Sequence, residues 1–148
     1  MIPAPTDKDT KEVHVRYKAI VSGESKGIGG DQYYGYSDNV LGRIKNNFND
    51  FGIDIKTSNV DFIKGLVDET MILDEPVAMA HIDVDWYEPV FICLQRIVPK
   101  LVPGGSIIVD DYYDWGGCKK AVDQYFYNVK EDYIMDNSSG AMKITKIN

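Results

Sequence analysis

Two cysteines in 148 residues, Cys93 and Cys118, are too few for a disulfide framework. A reducing, cytoplasmic setting is the default expectation for such a chain. Long apolar runs are missing as well. Val77-Ala78-Met79-Ala80 is interrupted at His81, and no stretch approaches the ~20 residues that span a bilayer. No basic segment leading into an apolar one opens the sequence, so no signal peptide is expected. Positive charge is scarce: 16 Lys and Arg stand against 23 Asp and Glu, a net charge of −7. That balance argues against a surface built for nucleic-acid phosphates, and nothing suggests a membrane role. Internal repeats and low-complexity segments are absent.

What is present reads as one globular domain over residues 1–148, with 44% hydrophobic and 26% charged residues. Residues 1–10 hold Pro3 and Pro5 and read as coil. Val13, Tyr17 and Ile20 give residues 11–20 a weak helical face. Residues 22–36 carry five glycines and no periodicity, and are expected to form a mobile loop. A helix follows, capped by Ser37 or Asp38, with Val40, Leu41, Ile44, Phe48 and Phe51 on one face. Gly52 stands where a left-handed cap is expected. Residues 59–64 read as a short strand. Residues 77–84 read as a strand buried on both faces. Val90, Phe91, Leu94, Ile97 and Leu101 predict a helix over 88–101, and Pro103-Gly104-Gly105 a turn after it. Residues 106–109 form a third strand, 117–130 a helix, and 133–136 with 142–147 a closing hairpin. Strands alternating with helices define an α/β fold with a mostly parallel sheet. Ligands in such sheets bind at the carboxyl ends of the strands.

Two of these strands end in carboxylates, Asp83-Val84-Asp85 and Asp110-Asp111. Asp83 and Asp85 are two residues apart, so in extended chain they share a side, roughly 6–7 Å between Cα atoms. If the strands are neighbours, four carboxylates meet in one crevice and repel each other. A hard divalent cation relieves that repulsion: Mg²⁺ takes one or two carboxylates plus waters or substrate oxygens. A carboxylate left off the metal can accept a proton. Asp85 or Asp111 taken singly reads equally well as a helix cap. His81 is expected to be a hydrogen-bonded core histidine, His14 a surface one, and Cys93 a packing residue. Cys118 has no partnered histidine signature. The glycines of 22–36 match neither a P-loop nor G-x-G-x-x-G. Tyr33, Tyr34, Tyr36, Tyr112, Tyr113 and Trp115 are expected to flank the crevice, either stacking on an acceptor or packing half-buried.

The run Asp83-Val84-Asp85-Trp86-Tyr87-Glu88, followed by Pro103-Gly104-Gly105-Ser106-Ile107-Ile108-Val109-Asp110-Asp111-Tyr112, resembles the macrocin O-methyltransferase (TylF-type) family. Residues 117–123 and 64–70 extend the resemblance, and Ile2-Pro3-Ala4-Pro5-Thr6 is similar to the segment after that family's second strand. The resemblance covers nearly the whole chain. It implies a Rossmann-like class I methyltransferase sheet, with S-adenosylmethionine as methyl donor, Mg²⁺ as metal and a sugar or glycosylated natural product as acceptor. By resemblance Asp83, Asp110 and Asp111 hold the metal and Asp85 is the general base. Gly65, Leu66 and Asp68 would lie by the adenine, with Asp83 also at the cofactor. Trp86 replaces the family's leucine, and Glu88-Pro89-Val90 its Glu-Ser-Thr.

Class I methyltransferases also carry a glycine-rich turn after the first strand and an acidic residue after the second. The chain is expected to begin beyond both, and no G-x-G follows a strand in it. The expectation is a sheet without its first two strands, either because the chain is a C-terminal fragment or has a misassigned start, or because another copy or another protein completes the sheet, and weak or no activity for the chain alone. Two alternatives remain at this stage. One is a nucleotide-sugar glycosyltransferase using Asp83-Val84-Asp85 on a metal and diphosphate. The other is a non-catalytic partner module.

Overall fold

The computed structural model describes residues 2–148 and divides into two compact units. The larger comprises residues up to 17 and 65–148, the smaller 18–64.

In the larger unit four strands form one sheet in the order β1-β2-β4-β3. They are β1 (Val77–Ile82), β2 (Leu101–Val109), β3 (Tyr133–Asp136) and β4 (Met142–Lys146). β1 and β2 run parallel, whereas β2–β4 and β3–β4 are antiparallel. The sheet is therefore mixed, with the expected hairpin folded back so that β4 lies beside β2. α4 (Tyr87–Ile97) and α5 (Gly116–Phe126) supply the apolar cover. Val90, Cys93, Leu94 and Ile97 recur at helical spacing on α4, and Cys118, Ala121, Val122 and Phe126 on α5; all are buried. On β2 the residues facing them, Gly105, Ile107 and Val109, alternate with less buried ones.

Several expectations change on inspection. β1 is an edge strand with one covered face, not a strand buried on both: Met79 is 64% exposed and His81 is also exposed. An apolar strand is buried twice only where elements lie on both faces. Pro103-Gly104-Gly105 does not end the unit. It forms a bulge inside β2, since pairing passes from Val77↔Leu101 to Met79↔Ser106. Gly104 has φ +76°, a conformation other residues seldom adopt.

Residues 2–10 form no helix or strand, as expected, but they are tied to the larger unit by hydrogen bonds. Asp9 Oδ1 accepts the Tyr87 N–H at 2.8 Å, and its Oδ2 accepts the Thr6 N–H at 2.9 Å. Asp9 thus caps α4 from 78 residues away in sequence. The Trp86 indole N–H donates to Pro3 O at 3.1 Å, and its ring meets Trp115 edge-on. A Cβ at Gly117 would displace the Asp9 carboxylate from the Tyr87 N–H, so glycine there preserves the cap.

In the smaller unit, α1 (Lys11–Val21) ends and α2 (Val40–Asp50) follows. Asn39, rather than Ser37 or Asp38, caps α2 by accepting the Gly42 N–H. Gly52 has φ +71°, the left-handed stop expected there. α2 buries none of its residues, so the stripe of Leu41, Ile44 and Phe51 is not a core face here. Residues 59–64 are not a strand. Asn59 turns left-handed at φ +52°, and strand propensity is realised only against a pairing partner. Residues 22–36 hold two 3-10 turns, over Ile28–Gly30 and Tyr34–Tyr36. The Tyr36 hydroxyl donates to Ile20 O at 2.8 Å and accepts the Ser25 N–H at 3.1 Å. Tyr33 packs against both Tyr34 and Tyr36. No helix among the described residues is long and apolar enough to cross a membrane.

Asp9→Ala removes the cap of α4 and leaves the Tyr87 N–H unpaired. It is expected to lower stability by about 1–2 kcal/mol, read from equilibrium urea unfolding; an unchanged midpoint contradicts the capping role.

Candidate active site

Parallel pairing builds the site. Ile82 lies opposite Val109 in register, so the residues that follow, Asp83 on one strand and Asp110 on the other, leave the sheet side by side. Asp85 then takes φ +58°. An aspartate tolerates this left-handed conformation better than most residues. The turn is closed by the Trp86 N–H donating to Val84 O at 2.6 Å, and α4 begins at Tyr87. After β2 the chain makes a 3-10 turn over Asp110–Tyr112.

The structure brings together Asp83, Asp85 and Asp111, each offering a carboxylate oxygen, all within 4.8 Å of one another. It does not bring Asp110 into that set. Residues alternate across a strand, and Val109 faces the core, so Asp110 points with Ile108 to the other face. There its Oδ1 lies 3.6 Å from Nε2 of His81, the register partner of Ile108. Both side chains are about half exposed, so His81 is not the core histidine expected from the sequence.

Electrostatics within the set are strained. Burial pushes the Asp111 carboxyl up to about 8, and the neighbouring Asp85 and Asp83 add to the shift. Asp85 is also raised, first by burial and then by Asp83 and Asp110. A hydrogen bond from protonated Asp111 and the charge of Arg16 oppose that rise. The pair therefore shares a proton at neutral pH. Asp111 Oδ2 is buried, and no protein donor reaches it.

Three hard oxygen donors with one buried oxygen lacking a donor suit a hard divalent cation such as Mg²⁺. Cys118 is no competing nucleophile. It is buried, and its thiol is pushed up to about 12 by burial and then by Asp111 and Asp85.

The 3-10 turn is held from α5. The Tyr112 hydroxyl donates to Asp123 Oδ1 at 2.6 Å, while Lys119 Nζ donates to that hydroxyl at 2.8 Å and to Asp123 Oδ2 at 2.6 Å. Tyr112 is buried and packs on Tyr113, which remains exposed. Trp86 is also buried, so the residue in the family's leucine position docks the N-terminal segment rather than presenting a surface to an acceptor.

Of the residues expected at the cofactor, Gly65 and Leu66 lead into the one-turn helix α3 (Val67–Thr70), and exposed Asp68 lies on it. Gly65 has φ +155°, and a Cβ there would collide with Thr70 Cγ2. Sequence reasoning missed Asp9, Arg16 and the His81–Asp110 pair. Asp9 and Arg16 reach their partners through long-range contacts, which leave no local signal. The sequence-visible cue for the pair was the odd spacing that puts Asp110 on the face opposite Val109.

The sequence model of the macrocin O-methyltransferases (TylF) matches residues 35–137. The chain belongs to that family. Demethyldecarbamoylnovobiocin O-methyltransferase of Streptomyces niveus is 33% identical over 84 residues, covering 55% of this chain and 31% of that protein. The 8-demethyl-8-(2,3-dimethoxy-alpha-L-rhamnosyl)-tetracenomycin-C 4'-O-methyltransferase of Streptomyces olivaceus is 31% identical over 87 residues, 57% of this chain and 32% of that one. The chain thus spans about a third of the length of these curated relatives. Among solved structures, the O-methyltransferase NovP superimposes with a TM-score of 0.69 at 22% identity, over 99% of this chain and 56% of the other. The fold of this TylF-family chain is accordingly the Rossmann-like class I methyltransferase α/β fold.

A raised carboxyl carries a sign. Below about pH 4 the folded and unfolded states are both protonated at Asp111. As pH rises the unfolded chain releases its proton first, and the folded one holds it to about pH 8. With a chelator present, the melting temperature is expected to fall from pH 5 to pH 8. Added Mg²⁺ should restore it more at pH 8 than at pH 5. A melting temperature independent of both contradicts the electrostatic account.

Proposed function

We propose that this TylF-family protein transfers the methyl group of S-adenosylmethionine to a hydroxyl of a sugar or glycosylated natural product, with Mg²⁺ at the acidic set. The observation that carries the reading is the convergence of Asp83, Asp85 and Asp111 at the carboxyl ends of two adjacent parallel strands, where α/β folds place their chemistry. The relatives named for methylation of novobiocin and tetracenomycin intermediates support the acceptor class. Family membership sets aside the glycosyltransferase reading.

In this reading Asp83 and Asp111 hold the cation. Asp85, adjacent to both, is the general base, and Asp110 stays outside the set against His81. Gly65, Leu66 and Asp68, with Asp83, line the place of the methyl donor. A sugar hydroxyl is a poor nucleophile at neutral pH. Asp85 takes its proton as the oxygen attacks the sulfonium methyl, the C–S bond breaks, and the electron pair leaves on sulfur as S-adenosylhomocysteine. Burial raises the proton affinity of Asp85 above that of an exposed carboxylate, the direction a general base needs. Mg²⁺, when bound, supplies Lewis-acid stabilisation of the developing alkoxide. Much of the remaining work is alignment of two substrates.

Formation of S-adenosylhomocysteine with a panel of glycosylated acceptors tests the reading. Asp85→Asn is expected to lower turnover about 10²–10⁴-fold while a divalent cation still binds; Asp111→Asn should lose the cation. Normal turnover of Asp85→Asn removes Asp85 as the base. Absence of product from the unaltered protein with every acceptor contradicts the function.

A further inference from the structure

α3 is a single turn, and a helix that short leaves most of its carbonyls without intrahelical donors. Arg96 supplies the donors from α4. Its Nη1 donates to Val67 O at 2.6 Å and to Met71 O at 2.8 Å, and its Nη2 donates to Asp68 O at 2.6 Å. One guanidinium thus holds three backbone oxygens of a five-residue stretch. The near end of the same stretch is closed by Leu66 O, which accepts the Thr70 hydroxyl at 2.8 Å and the Thr70 N–H at 2.9 Å. The side chain of Thr70 in turn occupies the space a Cβ on Gly65 would need. Lys100 adds a second tether, donating from Nζ to Asp74 O at 3.3 Å.

α4 therefore carries a different task at each end. Its first residue, Tyr87, follows Asp85 by two positions. Arg96, next to its last residue, grips the Gly65–Met71 turn. Arg96 lies nine positions after Tyr87 along the helix, a rigid span of about 14 Å. Arginine is required for the grip. A forked, planar guanidinium can serve three carbonyls at once, whereas a lysine ammonium is a strongly hydrated point charge on a flexible stem.

We propose that Arg96 is a positioning residue for the methyl donor: it fixes the Gly65–Asp68 turn on α4, so that the donor half of the site keeps its place relative to the acidic half. The proposal rests on the reading of Gly65, Leu66 and Asp68 as donor-binding residues. It separates the two halves of the site functionally, since Arg96 contacts neither Asp83, Asp85 nor Asp111 in any of these bonds.

The test compares the full unaltered chain with Arg96→Lys and Thr70→Val, the latter loosening the same turn without touching the guanidinium. Calorimetric affinities for S-adenosylhomocysteine and for Mg²⁺ are measured for each, together with amide exchange over 65–71. Arg96→Lys is expected to bind S-adenosylhomocysteine about tenfold more weakly, with faster exchange over 65–71 and unchanged Mg²⁺ affinity. In turnover it should raise KM for the methyl donor and leave kcat within about twofold. Thr70→Val should weaken the same ligand in the same direction, and it carries the test if Arg96→Lys does not fold. Wild-type affinity for S-adenosylhomocysteine in both variants overturns the positioning role and leaves the methyltransferase reading standing. A parallel loss of Mg²⁺ binding also overturns the positioning role, because it shows a general structural effect. No binding of S-adenosylhomocysteine by the unaltered chain overturns the methyltransferase reading, and the positioning role with it.

Discussion

Repulsion among carboxylates is the constraint on which the site depends. Three of them converge where β1 and β2 leave the sheet; Asp83 is exposed, and partial burial of Asp85 and Asp111 limits the water that would screen their charge. Left alone, the chain resolves the conflict with a proton held between Asp85 and Asp111. A divalent cation resolves it with two charges at once. The proposed function uses that repulsion, because a cation held there would relieve it.

Much of the scaffold exists to hold that conflict in place. The register Ile82↔Val109 aligns the strand ends. Asp9 caps α4 just after the first acidic turn, and the Tyr112–Asp123–Lys119 cluster fastens the second to α5. Each fastening is polar and long-range or crosses elements, and each would cost stability if one partner were removed. The apolar core of α4 and α5 against β2 and β4 supplies the non-specific cohesion beneath.

The helices α4 and α5 and the terminal hairpin were legible in the sequence because their apolar periodicity is sustained, but the helix ends were not: α4 stops at Ile97 rather than 101, where β2 begins, and α5 at Phe126 rather than 130. The strand β1 was legible in position but not in burial: residues 77–82 are apolar enough for a central strand, yet Ala78, Met79 and His81 are exposed. The segment 59–64 shows the limit of propensity, since a run such as Asn-Val-Asp-Phe-Ile-Lys becomes a strand only with a partner beside it. In the site, Asp83, Asp85 and Asp111 were readable from strand ends and the family motif. Asp110 followed its neighbour in the motif but not in space, because alternation along β2 sends adjacent side chains to opposite faces. Asp9 and Arg96 were not readable at all. Each acts through backbone groups far away in sequence, and backbone groups leave no mark on a sequence.

The most direct measurement is a calorimetric titration of Mg²⁺ into the full chain near pH 7, in two buffers of different ionisation enthalpy. The account predicts one saturable site and release of close to one proton per ion, the proton held by the Asp85–Asp111 pair with Asp111 raised to about 8. Absence of saturable binding, or binding with no proton released, would contradict it.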